Sequence, residues 1–321
     1  MNSIRKLIFG TVIGLSLGCS ILAGKTAVTT TQPLMETATF TNTLRPKSTN
    51  TATSSPTITK TVTRTKKPSR TASPTPAPGV PLGDTCRSAV DGFYNLKKNL
   101  VLPDHLTSGE PFRKARDFDP NRYFPILNHL KMKTGYTLDY VYYLDDLGSK
   151  PLLYTRKTGT PPFLSYEAFL KSVGAEMSGE RSYMTLPNAF DFLNMIQVDG
   201  SEASFFQFAF LAELGDQFYL SWHANYNDFI ILCDAQDLKN VTRALGDYNL
   251  TFPQDRWETA KAIEFQPTVS IQEDAVTVRM IIFSKWGGFW ENIAVMDKNN
   301  PFTILDMKMN VLVAYDCGIN F

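Results

Sequence analysis

The sequence predicts an α+β protein in which helices, mainly in the first part of a globular region, pack on a curved antiparallel sheet built largely from the C-terminal part. Three observations carry this. Helical periodicity dominates between Thr85 and Leu245, whereas alternation of period two takes over beyond Pro267. The late strands follow one another through short turns, the pattern of an antiparallel sheet, and there is no βαβ alternation. The aromatic supply of 22 Phe, 13 Tyr and 4 Trp is ample for a core that needs no metal to hold it.

The elements follow in order. Ala89, Phe93, Leu96 and Leu100 lie at helical spacing and predict a helix over 85–101. Asp119 followed by Pro120 predicts a second helix through Leu130, with Asp as N-cap and Pro at the first helical position, closed by Gly135. Two strands, 136–144 and 151–156, flank a loop containing Gly148. Short helices are expected over 166–173 and 187–198. Ser201 caps a helix running from Phe205 to Leu214, apolar on every side and therefore buried, which ends at Gly215. Strands over 217–224 and 229–234 are separated by the turn cluster Asn225–Asp228, and Asp234 caps a helix from Ala235 to Leu245 with Gly246 at its end. In the last stretch Val276, Val278, Met280 and Ile282 share one strand face. Further strands are expected over 289–296, 302–308 and 311–316, with Asn299-Asn300 as a turn.

Composition divides the chain into three. Residues 1–24 hold Arg5 and Lys6 followed by an uncharged run from Leu7 to Gly24, the pattern of an export signal. Residues 25–82 contain 18 Thr, 8 Pro and 5 Ser among 58 positions, too poor in large apolar residues to build a core, and predict an extended disordered tether. Residues 83–321 form the expected single globular domain. Charge follows the same division: residues 1–82 carry ten Lys/Arg against one Glu, and residues 83–321 carry 22 against 30. An acidic globular part argues against nucleic acid as its partner.

The run Leu15-Ser16-Leu17-Gly18-Cys19 resembles the lipobox of bacterial lipoproteins, with Ser16 and Leu17 in the reverse of the usual order. The resemblance covers residues 1–82 only, because the Thr/Pro-rich stretch is likewise similar to the spacers of cell-envelope lipoproteins. It implies lipidation at Cys19 and a membrane anchor at the N-terminus. An uncleaved signal anchor and ordinary cleavage after Gly24 remain as alternatives, and all three place everything after residue 25 outside the cytoplasmic membrane.

Three further cysteines, Cys86, Cys233 and Cys317, follow in a chain read as exported, where pairs that meet oxidise. Cys233 ends the apolar run Phe229–Leu232 and reads as a buried inert thiol. The expected disulfide is therefore Cys86 with Cys317, tying the first helix to the last strand.

Two clusters carry chemistry. In Trp222–Asp228, His223 stands beside a polar turn where Asp228 could polarise it as a general base. Asp234, Asp316 or a cysteine would complete a hydrolase or transferase site. In Lys285-Trp286-Gly287-Gly288-Phe289-Trp290, paired glycines set Trp286, Phe289 and Trp290 around a bend where they could stack on a ligand. Each also has a purely structural reading, a hairpin turn for the first and a sheet bend with core aromatics for the second. His105, His129 and His223 show no metal-ligand spacing, and no cofactor motif is present. Asp297–Asn300 fails as a calcium loop at Pro301 and Lys308. The expectation is a non-catalytic envelope module that binds a ligand or protein. The alternative is an extracytoplasmic hydrolase or transferase using His223.

Overall fold

The computed structural model describes residues 79–315 except 108, 145–147, 174–190, 223–224 and 226–227. The signal, Cys19, most of the tether, His223, Asp316 and Cys317 therefore lie outside the described residues. The described chain contains both helices and antiparallel sheets. Its strands are β1 (Val80–Pro81), β2 (Leu130–Met132), β3 (Tyr136–Leu144), β4 (Gly148–Lys157), β5 (Ile196–Val198), β6 (Ser221–Trp222), β7 (Phe229–Leu232), β8 (Thr268–Ile271), β9 (Ala275–Ser284), β10 (Gly288–Asp297) and β11 (Ile304–Ala314). Its α-helices are α1 (Gly83–Lys97), α2 (Tyr166–Val173), α3 (Glu202–Leu214), α4 (Leu238–Gly246) and α5 (Gln254–Lys261).

The main sheet runs β1-β8-β9-β10-β11, and β7 also pairs with β9. Strand β9 is its spine. On one edge it pairs with β8 over Val276–Arg279 and then with β7 over Ile281–Ser284, while β10 covers its other edge along the full length. The alternation expected along β9 is present, since Val276, Val278, Met280 and Ile282 all join the core built around α3. The opposite face is buried too. Ile281 and Phe283 point into a second core with Val241 and Leu245 of α4 and Ala260 of α5, so helices cover both faces of the sheet. A smaller sheet, β3-β4-β6, turns Tyr140 and Tyr142 toward the first core and Val141 toward a third cluster with Phe169 and Leu170 of α2.

Several local expectations change. Val80 and Pro81, read as tether, pair with Val269 and Thr268, so the sheet begins before residue 83. The helix expected after Asp119 is a single 3-10 turn, Pro120–Tyr123, although the Asp119 side chain does accept from the Asn121 amide. Pro125 explains the early stop, because a proline inside a helix removes a donor and clashes with the preceding turn. The segment around 191–198 is a 3-10 turn followed by β5, which pairs with β2. The strands flanking Asn225–Asp228 do not form a hairpin, because β6 joins β4 whereas β7 joins β9. The last two expected strands are one strand, β11, with register shifts near Leu305 and Leu312 where β10 keeps its pairing. Helix α5 was not expected, since its inward face carries little beyond Trp257 and Ala260.

The disulfide is also corrected: Cys86 is bonded to Cys233, not to Cys317. Both sulfurs are buried, Cys86 at the start of α1 and Cys233 just after β7. The apolar strand that suggested an inert thiol leads into a cysteine that meets the start of α1. Polar contacts fix the same joint. Arg87 donates to Asp234 at 2.8 Å and holds both carboxylate oxygens of Asp237, and Asp237 in turn accepts from the Cys233 amide at 2.8 Å. The bond closes a span of 147 residues, worth about 5 kcal/mol of denatured-state entropy if unstrained.

Candidate functional site

The two clusters singled out in the sequence meet at one place. In the β7/β9 ladder Phe229 lies opposite Ser284, so the next position on each strand sets Asp228 opposite Lys285. Their charged atoms are 3.7 Å apart. The third partner is Tyr248, whose ring centroid lies 4.7 Å from the Lys285 ammonium. Tyr248 is placed by the end of α4. The Leu250 amide reaches back to the Leu245 carbonyl at 2.9 Å while Asn249 takes φ +55°, an Asn-terminated Schellman turn that fixes the direction in which the chain leaves the helix.

The three groups differ in exposure in a way that matters for binding. The Lys285 side chain is 3% exposed, the Asp228 side chain is 40% exposed, and Tyr248 is 37% exposed. Burial lowers the basicity of Lys285, opposed by the nearby Asp228 carboxylate. Among the described residues Lys285 Nζ makes no hydrogen bond of ordinary length. It is nonetheless not one of the sealed-off unpartnered atoms, which among the described residues are Arg113 Nε, Tyr140 Oη and Asn292 Oδ1.

A row of charges continues inward from this point. Lys97, near the C-terminal end of α1, donates to the Gln217 carbonyl at 2.8 Å and loses basicity through burial, with Asp228 and Asp216 acting against the loss. Lys150 of β4 pairs with Asp216 at 2.6 Å, and Gln217 accepts from the Phe229 amide at 3.1 Å. One turn before Asp216, the half-buried Glu213 accepts from Asn292 of β10 at 2.6 Å. Loss of hydration pushes its carboxyl up to about 7, against the Asn292 hydrogen bond.

The bend that follows Lys285 needs its glycines. At Gly288, φ is +87° and a Cβ would sit 2.2 Å from the Val313 carbonyl, a position only glycine occupies. At Gly287 a Cβ would strike the ring of Trp290 at 2.6 Å, so Trp290 folds back against the bend. Phe289 is not a ligand-stacking ring: it is fully buried, 4.9 Å from Phe283 and 5.6 Å from Phe252. Trp286 and Trp290 are half-buried. On the far side of Asp228, Trp222 is 62% exposed with φ +57°, and Tyr219 has φ +51° with its carbonyl accepting from Tyr142 Oη. Two aromatic residues in left-handed backbone within four positions store strain of about 1–3 kcal/mol each.

Two other polar clusters were not anticipated. His129 Nδ1 lies 2.6 Å from Asp199, and Ser201 reaches both the same ring nitrogen at 3.4 Å and Asp199 at 2.5 Å. Partial burial of Asp199 acts the other way, but hydrogen bonds from Ser201 and His129 hold its carboxyl well below the usual range. Serine and aspartate share one ring nitrogen, so this is no nucleophile–base–orienter relay. Ser201 is the N-cap of α3, accepting from the Ser204 amide. In the second cluster Arg113 and Arg156 clamp the buried Asp139 at 2.9 and 2.8 Å, and His105 contacts Asp117 at 2.9 Å.

Among the described residues no three His, Cys, Asp or Glu side chains converge as metal ligands, and no helix is long and apolar enough to cross a membrane. Comparison with protein-family models, with curated proteins and with solved structures finds no match to this chain.

Proposed function

We propose that the protein is an exported, membrane-tethered envelope module that binds a ligand, without catalysis, at the Asp228–Lys285–Tyr248 corner. The single observation behind this is the convergence there of two clusters 57 positions apart in the sequence (from 228 to 285), brought into register by β7 and β9. A carboxylate, an ammonium buried beside it and a partly exposed ring are groups from which binding sites are assembled.

In this reading residues 1–24 export the chain, Cys19 carries the lipid, and residues 25–82 hold the globular part away from the membrane. The Cys86–Cys233 bond supports a location outside the cytoplasm, because structural disulfides persist in oxidising compartments. We read the main sheet as curved and helix-backed, supported by the two register shifts between β10 and β11, since bulges bend the strand that carries them.

The test is a thermal-shift screen of the full chain against saccharides, peptides, lipids and divalent metals, because a ligand that prefers the folded state raises its apparent stability. A shift in one class, lost in Asp228→Ala or Tyr248→Ala, is the expected result. Shifts that survive both substitutions, or turnover of an ester, peptide or glycoside substrate, would contradict it.

A further inference from the structure

The charges around the corner form an alternating row. Asp247 acts on Lys285, Lys285 faces Asp228, Asp228 and Asp216 act on Lys97, and Asp216 holds Lys150. Three lysines stand against three aspartates, so the row carries no excess of either charge. Hydrogen-bonding capacity is what it leaves open. At 3.7 Å Asp228 and Lys285 are close enough to fix each other's direction but too far apart to satisfy each other by a direct hydrogen bond. A hydroxyl lying beside such a pair donates to the carboxylate and accepts from the ammonium, which no other single uncharged group except water does with one atom.

Tyr248 adds the second requirement. Its ring lies over the ammonium at 4.7 Å and is 37% exposed, so it offers an apolar surface beside the hydroxyl-binding pair. A hydroxylated ring with an apolar C–H face matches both features. Among peptide side chains only tyrosine carries a hydroxyl on a ring, whereas a saccharide presents hydroxyls all round an apolar C–H face. An anionic lipid headgroup finds no excess of positive charge in the balanced row.

We infer that the ligand of the Asp228–Lys285–Tyr248 corner is a neutral saccharide, with a hydroxyl bridged by Asp228 and Lys285 and a sugar face against Tyr248. This rests on the reading that this corner is the binding site, and it names the ligand class.

The experiment titrates the full, oxidised chain with the hexasaccharides of β-1,4-linked glucose, β-1,4-linked N-acetylglucosamine and α-linked mannose. Binding is followed by calorimetry in the unaltered chain and in Asp228→Ala, Lys285→Met, Tyr248→Ala and Tyr248→Phe. Circular dichroism confirms that each variant is folded. The expected result is binding of at least one hexasaccharide, weakened tenfold or more in the first three variants and retained within about threefold in Tyr248→Phe, which keeps the ring. Saccharide binding indifferent to these substitutions would overturn the inference. So would a peptide, lipid or metal that shifts stability in an Asp228-dependent way while no saccharide binds, an outcome that leaves the binding-site reading standing. No shift from any class would overturn both.

Discussion

The two ends of β7 lie only four residues apart and are built in opposite ways. At its C-terminal end Cys233 is covalently joined to α1. Asp237 is fully buried, and Arg87 and the Cys233 amide take up its oxygens at ordinary or shorter distances. At its N-terminal end Asp228 and Lys285 face each other across 3.7 Å, with hydrogen-bonding capacity left over and the aspartate open to solvent. The same short strand is anchored where it meets the core and under-satisfied where it meets the surface. The difference teaches that rigid support on one side allows polar groups to be held unsaturated on the other, where the proposed ligand would meet them.

Breaking the anchored end is expected to have the largest effect. Replacing both Cys86 and Cys233 with Ala should cost about 4 kcal/mol and lower the melting temperature by about 10 °C, read by calorimetry against the oxidised chain. The same change at Cys317 should not reproduce this loss. Next comes Asp237→Ala, which leaves the buried Cys233 amide without its acceptor and Arg87 with Asp234 alone. It should cost about 3 kcal/mol, seen as a lower urea midpoint with an unchanged slope.

The half-buried Glu213 gives a pH signature of intermediate size. Its folded-state value, about 7, lies above the unfolded one, so the folded chain holds the proton more tightly. Its contribution is therefore favourable at low pH and is lost as pH rises from the unfolded value through 7. Urea midpoints measured at pH 5 and pH 8 should show stability falling across this window. Glu213→Gln should flatten the fall and gain up to about 3 kcal/mol at pH 8. A variant that keeps the slope would move the titration to another group.

Smallest in stability is the open end. Asp228→Ala should change the unfolding free energy by about 1 kcal/mol or less, because a partly exposed pair at 3.7 Å contributes little. Its effect should fall on binding. A loss as large as that of Asp237→Ala would mean that the two ends are alike and the contrast is wrong.

Legibility in the sequence follows the same divide between local and long-range causes. Helix α2 and strand β3 were read to the residue, and the caps Asp119, Ser201 and Asp234 all accept the amide expected of them, because each depends on its immediate neighbours. The helix after Asp119 failed because capping outweighed Pro125 in the reading, whereas in the chain the proline wins. The disulfide failed for a different reason: an apolar strand looks the same whether it buries a free thiol or receives a helix carrying its partner. At the site, His223 drew attention by its rarity and lies outside the described residues. Phe289 is core, because period-two alternation along β10 turns it inward. Lys285, buried beneath Tyr248, heads a cluster read for its aromatics, and nothing local reports that α4 ends above it. What the sequence did carry was the pair of segments. Only the β7/β9 register shows that they are one place.

The most direct test of the account is hydrogen exchange on the full chain with and without a saturating amount of the hexasaccharide that binds best. The account predicts added protection in residues 228–229, 247–250 and 284–287, with residues 232–237 already protected and unchanged. Protection gained elsewhere, or none at these three segments, would contradict it.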